Sequence, residues 1–156
     1  MHNPTNNPCW ICQQEPGSHS FAKIPSQNPD ITLFYSCPAK STRYFDKDSK
    51  NVVDHFRLHL ESLRLKNNTI QPWAYVLDLE GYTLRHSMQL PASIALVNLV
   101  KENYIQSLKK VWILHYSWPF KMVMNILLAI VPEDIKKIIE FSDHRVETIQ
   151  NMNFLF

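Results

Sequence analysis

The sequence predicts a small α/β layer fold, a mostly parallel sheet with flanking helices behind an irregular N-terminal arm. Two strand-like apolar runs, Val76–Leu79 and Val111–Tyr116, are separated by about thirty residues of helical character, the span a right-handed βαβ crossover needs. The first belongs to Trp73–Leu79, whose nearly unbroken apolar character fits a strand covered on both faces. The second feeds an almost uncharged segment after Trp118. That segment is too short to cross a bilayer and too apolar for an ordinary surface helix.

The elements follow in order. Residues 1–30 are rich in Pro, Asn, Gln and Ser without periodicity, which predicts an arm ahead of a domain at 31–156. Ile31–Ser36 is a strand ended by Cys37-Pro38, and 39–50 is polar and loop-like. Asp48 or Ser49 is placed to cap a helix that aligns Val53, Phe56, Leu60 and Leu63 on one stripe. His55 and His59 fall one turn apart on a neighbouring face, expected to be solvated, and Asn67-Asn68 stops the helix. Leu90-Pro91 opens the next helix, with Ile94, Val97, Leu99 and Val100 inward and a continuation toward Tyr104. After the strand Val111–Tyr116, Phe120–Val131 is helical by spacing until Pro132. Glu133–Lys136 forms a short helical turn, Ile138–Phe141 a third parallel strand and Arg145–Asn151 a last short helix.

Composition narrows the function. At 156 residues the chain is expected to be one domain with a single core. Sixteen basic against fourteen acidic residues give a formal charge of +2, which leaves no nucleic-acid footprint. With two glycines, neither GxGxxG nor a P-loop can be written. The start, MHNPTNNPCW, lacks the basic and apolar regions of a signal peptide. Three cysteines are an odd count, and a reduced, cytoplasmic setting is expected.

Several groups of residues carry candidate chemistry. In 121–131 only Lys121 and Asn125 are polar, so Met122, Val123, Met124, Ile126, Leu127, Leu128 and Ile130 run nearly all round the helix. Such a helix is buried on every side, or it faces a ligand, lipid or partner. Cys9-x-x-Cys12 forms a knuckle that, with His19 and Cys37, offers a three-cysteine, one-histidine set for a structural zinc, against the reading of unliganded thiols. HFRLH at 55–59 has the histidine spacing of HExxH without its glutamate. His115 ends a strand, where ligand sites of open α/β sheets gather. Asp78 and Glu80 suit a turn. No catalytic constellation emerges, so a non-enzyme is expected. Lys109-Lys110, Lys136-Lys137 and Arg145 are basic pairs suited to a solvated rim or to an anionic membrane surface.

From Trp73 onward the chain resembles the CRAL-TRIO lipid-binding family. Asp78, Glu80 and Gly81 stand where that family has an Asp-x-x-Gly turn, and Asn103-Tyr104 where a tyrosine precedes the second strand. Lys110–Leu114 fill that strand, Phe120 leads the apolar helix and Lys137-Ile138 enter the next strand. The run Ile113-Leu114-His115-Tyr116-Ser117 is closer to a divergent branch found beside Rho GTPase-activating and macro domains. Ile105, Gln106 and Ser107 depart from the Pro-Glu-Arg of members that read phosphoinositide head groups, whereas Lys137 matches their head-group lysine. The resemblance implies non-catalytic binding of a lipid or other hydrophobic molecule in a pocket gated by helix 120–131. Leu79, Tyr116 and Trp118 would line the mouth, and Val123, Met124, Leu127 and Ile130 the lid, with His115, Phe120 and Lys137 nearby. The alternative it implies is a protein interaction module, of the GTPase-regulator type or a homodimer, with a collapsed pocket. A peripheral membrane contact is compatible with either.

Overall fold

Alternation in the strands decides which side of the sheet each residue faces. In the computed structural model, which describes residues 7–45 and 49–152, β3 (Trp73–Asp78) is the central strand. Trp73, Tyr75 and Leu77 join one hydrophobic cluster, while Ala74 and Val76 join another on the opposite face. β3 pairs in parallel with β2 (Thr32–Ser36) and β4 (Leu108–Leu114), and β4 pairs in parallel with β5 (Ile139–Ser142). The register sets Tyr75 opposite Val111 and Leu77 opposite Ile113, continuing the same apolar surface across the strands. The mostly parallel sheet with flanking helices matches the expected fold class.

The N-terminal segment is not irregular throughout, as the sequence had suggested. It carries a short helix, α1 (Trp10–Gln14), and an edge strand, β1 (Ala22–Ile24), antiparallel to β2. A three-residue strand is too short to show alternation. Its place in the sheet is fixed by Phe21, whose ring stacks on Phe34 at 4.7 Å and on Phe56 at 4.0 Å.

The strands follow in sequential order, and each parallel step crosses over through helix. α2 (Lys50–Glu61) joins β2 to β3, α3 (Leu84–Ser87) and α4 (Leu90–Asn103) join β3 to β4, and α5 (Trp118–Leu128) and α6 (Glu133–Lys136) join β4 to β5. α2, α4 and α5 all contribute to the cluster on the Trp73–Tyr75–Leu77 face. The opposite face is covered by α7 (Val146–Gln150), through the fully buried Ile149. Proline in the first turn of α4 and of α5 meets the φ that a helix start requires without removing an internal hydrogen bond. Of the two caps expected for α2, Ser49 makes no side-chain capping bond and Asp48 lies outside the described residues. His55 and His59 are buried at 1% and 7% exposure, not solvated, because the arm packs over their face of α2.

A polar chain ties the helical layer to the sheet. Trp73 Nε1 donates to the Tyr104 carbonyl at 2.9 Å, and the Tyr104 hydroxyl donates to Glu61 Oε1. Glu61 also accepts the Arg64 guanidinium fork at 2.8 and 2.9 Å. The hydrogen bonds from Arg64, then that from Tyr104, hold the Glu61 carboxyl down at about 2. Trp73→Phe leaves the Tyr104 carbonyl without its indole donor, and a loss of about 1–3 kcal/mol is expected, read as a lower urea midpoint at unchanged slope.

Candidate functional site

Between the sheet and its crossover helices lies a cavity of about 230 Å³. Its floor is the apolar surface of Trp73, Tyr75, Leu77, Val111, Ile113 and Ile139. Val52 and Phe56 of α2, Leu96, Val97 and Val100 of α4, and Phe120, Met124 and Leu127 of α5 form the walls. Polar groups of the lining are turned into the wall. The Tyr75 hydroxyl donates to Ser36 Oγ at 3.1 Å, and the Tyr44 hydroxyl donates to the His86 carbonyl at 3.0 Å. Burial pushes Tyr75 up to about 12 and raises Tyr44 as well, so both stay neutral. Lys101 is the one charged residue of the lining among the described residues. An engineered cavity of about 150 Å³ with apolar walls stays dry and takes benzene. The present space therefore suits a somewhat larger apolar group, while falling short of the roughly 300–1,000 Å³ typical of pockets for drug-sized molecules.

Of the residues expected at the site, Phe120, Met124 and Leu127 line this cavity. Val123 is buried in the same core cluster without reaching the space, and Ile130 lies half-buried beyond the end of α5. Leu79 is buried in the turn after β3, away from the lining. Tyr116 and Trp118 are exposed at 42% and 63% and lie outside the lining. Lys137 is solvent-exposed, 4.0 Å from Asp134, and also outside the lining. The residues missed are the floor, Tyr75 and Leu77, and the α4 wall, Leu96, Val97 and Val100. Their signal was the apolar alternation of β3 and the stripe on α4, both of which also fit solid core.

α5 has two apolar sides. Phe120, Val123, Met124 and Leu127 point inward, while Trp118, Met122 and Ile126, spaced four apart, are 63%, 56% and 46% exposed. α3 packs against α5 and adds the exposed Leu84 and Met88.

The cysteines and histidines of the arm gather at a second place. Cys9, Cys12, His19 and His55 are all buried, with one ligand atom from each within 4.8 Å of all the others. Cys37, expected in this set, stands apart with its Sγ 3.6 Å from the Glu80 carbonyl, and His55 from α2 takes the fourth position. Sequence distance hid His55, since its contact with Cys12 depends on the arm folding back over α2. Burial pushes the Cys12 thiol up to about 11, and burial with His59 alongside drives His55 down to about 3.

The sequence matches the CRAL/TRIO domain over residues 27–152, which is most of the chain. It belongs to the CRAL/TRIO domain family. The crystal structure of Sfh5 is similar with a TM-score of 0.63 at 14% identity, covering 86% of this chain and 56% of that one. This chain thus spans little more than half of the Sfh5 chain. At that identity the likeness speaks for the fold. A search of curated proteins returns no match. The arm with Cys9, Cys12 and His19 precedes the part of the chain matched to the CRAL/TRIO domain.

In this CRAL/TRIO sheet the Asp78-x-x-Gly81 turn builds a polar corner at the ends of β3 and β4. Asp78 follows Ala74 and Val76 onto the face away from the cavity. It accepts the Tyr35 hydroxyl at 2.7 Å, the Glu80 backbone N–H at 3.0 Å and His115 Nδ1 at 2.8 Å. Gly81 is needed here, because at φ +75° an added Cβ would sit 3.1 Å from the Ala39 side chain. His115 adopts φ +55°, which turns the chain out of β4, and its ring is held by Asp78 with the rest toward solvent. Burial raises the Asp78 carboxyl, but the three hydrogen bonds together outweigh it and leave the group below its ordinary 3.8. A depressed carboxylate contributes stability above its unfolded value and loses it as pH falls through the folded one. Asp78→Asn is expected to destabilise by about 1–3 kcal/mol at neutral pH. In urea titrations at a series of pH values, its gap from wild type narrows once pH drops below 3.8.

Proposed function

We propose that the protein binds a lipid or other hydrophobic small molecule in the cavity beneath α5, and that α5 is the gate. The single observation that carries this reading is the apolar-walled space of about 230 Å³ between α4, α5 and the sheet. The alternative expected from the sequence, a protein interaction module with a collapsed pocket, has no use for such a space. Membership in the CRAL/TRIO domain family and the fold shared with Sfh5 support the same reading.

The gate follows from the two sides of α5. Its inner side supplies Phe120, Met124 and Leu127 to the cavity, so an outward swing enlarges the space toward the volume of a whole acyl chain. Its outer side leaves Trp118, Met122 and Ile126 about half in water, and completing their burial is worth about half of the 1.5–3 kcal/mol of a fully exposed side chain. An apolar surface can take up this row, and it favours opening where it also receives the inward residues of the opened helix. Lys121, exposed on the same helix, adds attraction to an anionic surface. No helix among the described residues is long and apolar enough to cross a membrane, so this contact is made from the side.

Two variants separate cavity from gate. Val97→Phe projects new volume into the hollow. It is expected to weaken uptake of a fluorescent fatty-acyl probe about tenfold or more, at an unchanged or raised melting temperature. Ile126→Glu changes only the outer row; it should leave equilibrium uptake from solution intact while slowing transfer from anionic vesicles. Native mass spectrometry of freshly purified protein supplies the direct check. A copurifying apolar molecule supports the proposal, while a bare chain with full probe uptake by Val97→Phe contradicts it.

A further inference from the structure

We propose that Cys9, Cys12, His19 and His55 bind one Zn²⁺ ion, and that this metal clips the N-terminal arm onto α2 beside the cavity wall.

The argument begins with distances. A tetrahedral zinc with bonds of about 2.3 Å to sulfur and 2.0 Å to nitrogen holds sulfur and nitrogen about 3.5 Å apart. His19 Nδ1 lies 3.7 Å from Cys9 Sγ and 3.5 Å from Cys12 Sγ, and His55 Nδ1 lies 3.6 Å from Cys12 Sγ. Two sulfurs and two nitrogens on one centre are the donor set of a closed structural zinc site. Two thiolates also neutralise the charge of the ion, which permits burial of the whole cluster. All four residues lie within 7% exposure.

The surroundings of His55 point the same way. Its Nε2 lies 2.8 Å from the Phe21 carbonyl, which requires the proton on Nε2 and leaves the Nδ1 lone pair for the metal. A backbone carbonyl on the far nitrogen is the usual outer partner of a metal-bound imidazole. α2 supplies His55 from a rigid helix, whereas Cys9 and Cys12 bracket the start of the five-residue α1. A helix that short does not hold itself together in water. The arm's own hydrophobic cluster is small, Cys9, Ile11 and Cys12, so a metal supplies the stabilisation that burial there cannot.

The same contact reaches the cavity. The Phe21 carbonyl meets His55, while the Phe21 ring stacks on Phe56 and stands edge-on to Tyr75 at 5.7 Å. Phe56, Tyr75 and Ser20 all line the hollow. Zinc at the four-residue cluster therefore fixes the end of the wall opposite α5. The metal site itself does not depend on the ligand reading, because zinc content is measured without any ligand.

The test is metal analysis of the full chain purified without chelator, with Cys12→Ser, His55→Gln and Cys37→Ser alongside. Gln at 55 can keep an amide donor for the Phe21 carbonyl while removing the Nδ1 ligand, which favours retention of the fold; far-UV circular dichroism checks this. One zinc per chain is expected in wild type and Cys37→Ser, with at least a tenfold loss in Cys12→Ser and His55→Gln. Should the variants unfold, Co²⁺ added to the demetallated wild type gives the readout. Intense tetrahedral and thiolate charge-transfer bands, abolished by stoichiometric Zn²⁺, are expected. Zinc-free wild type without those bands, a Cys9–Cys12 disulfide, full zinc in folded His55→Gln, or zinc lost from folded Cys37→Ser would each overturn the proposal.

Discussion

The order of strands constrains everything else in this molecule. Parallel neighbours joined in sequence by right-handed crossovers must send every connecting helix to the same face. β2 to β5 span three strand spacings, about 14 Å, whereas three helices side by side need about 16–20 Å between their outer axes. The helices cannot all lie flush on the strands. α4 shows the consequence, since only Leu99 of its fourteen residues is buried, while Leu96, Val97 and Val100 face open space. The hollow is thus a product of topology combined with a middle helix that stands away from the sheet.

A hollow in a small domain has to be held open by its rim. At the lower end, Trp73 donates to the Tyr104 carbonyl, and Tyr104 in turn reaches Glu61 on α2. This fixes the distance between α2, the end of α4 and β3 through directional bonds. At the other end, the stack of Phe21 on Phe34 and Phe56 fills the junction of arm, sheet and α2. Filling by large rings at both ends confines the hollow to the centre without general loosening, because cavity cost scales with the volume the side chains leave unfilled. α5 has no comparable polar tie among the described residues. Its inward contacts are side-chain packing by Phe120, Val123, Met124 and Leu127.

Much of this was legible in the sequence. The βαβ spacing around Val76 and Val111, the stripe Phe56–Leu60–Leu63 and the proline-led starts of two helices report local geometry, which periodicity encodes directly. The apolar helix was also visible, and three of its residues do line the cavity. The rest depends on placement across distance. Tyr116 and Trp118 were expected at a mouth from the family resemblance, but they lie outside the lining, after the φ of +55° at His115 turns the chain out of β4. The same residue belongs with Asp78 on the far side of the sheet, as the alternation of β3 requires. His55 looked solvated because a helical wheel knows nothing of an arm that folds over it. Cys37 looked like a ligand because it is the third cysteine in the chain, yet β2 carries it to the turn at Glu80. Strand residues such as Tyr75 read identically whether they meet a helix or a void.

If α5 is the gate proposed above, the free energy of its opening has two parts that the helix keeps on separate faces. Opening exposes the inward residues and the cavity floor, a penalty that grows with apolar area at about 25 cal/mol per Å². An apolar surface over Trp118, Met122 and Ile126 offsets that penalty only where it also receives inward residues of the opened helix, because the outer row is exposed in the closed form as well. Each contribution shifts the equilibrium only by its differential affinity for the open form. A ligand that fits the closed hollow favours closure, whereas a surface that receives the inward residues along with the outer row favours opening. On the proposed reading, ligand and surface would act on α5 in opposite directions, an asymmetry between the loaded and the empty chain. That asymmetry needs no third element, because both terms act on the same eleven-residue helix from opposite sides.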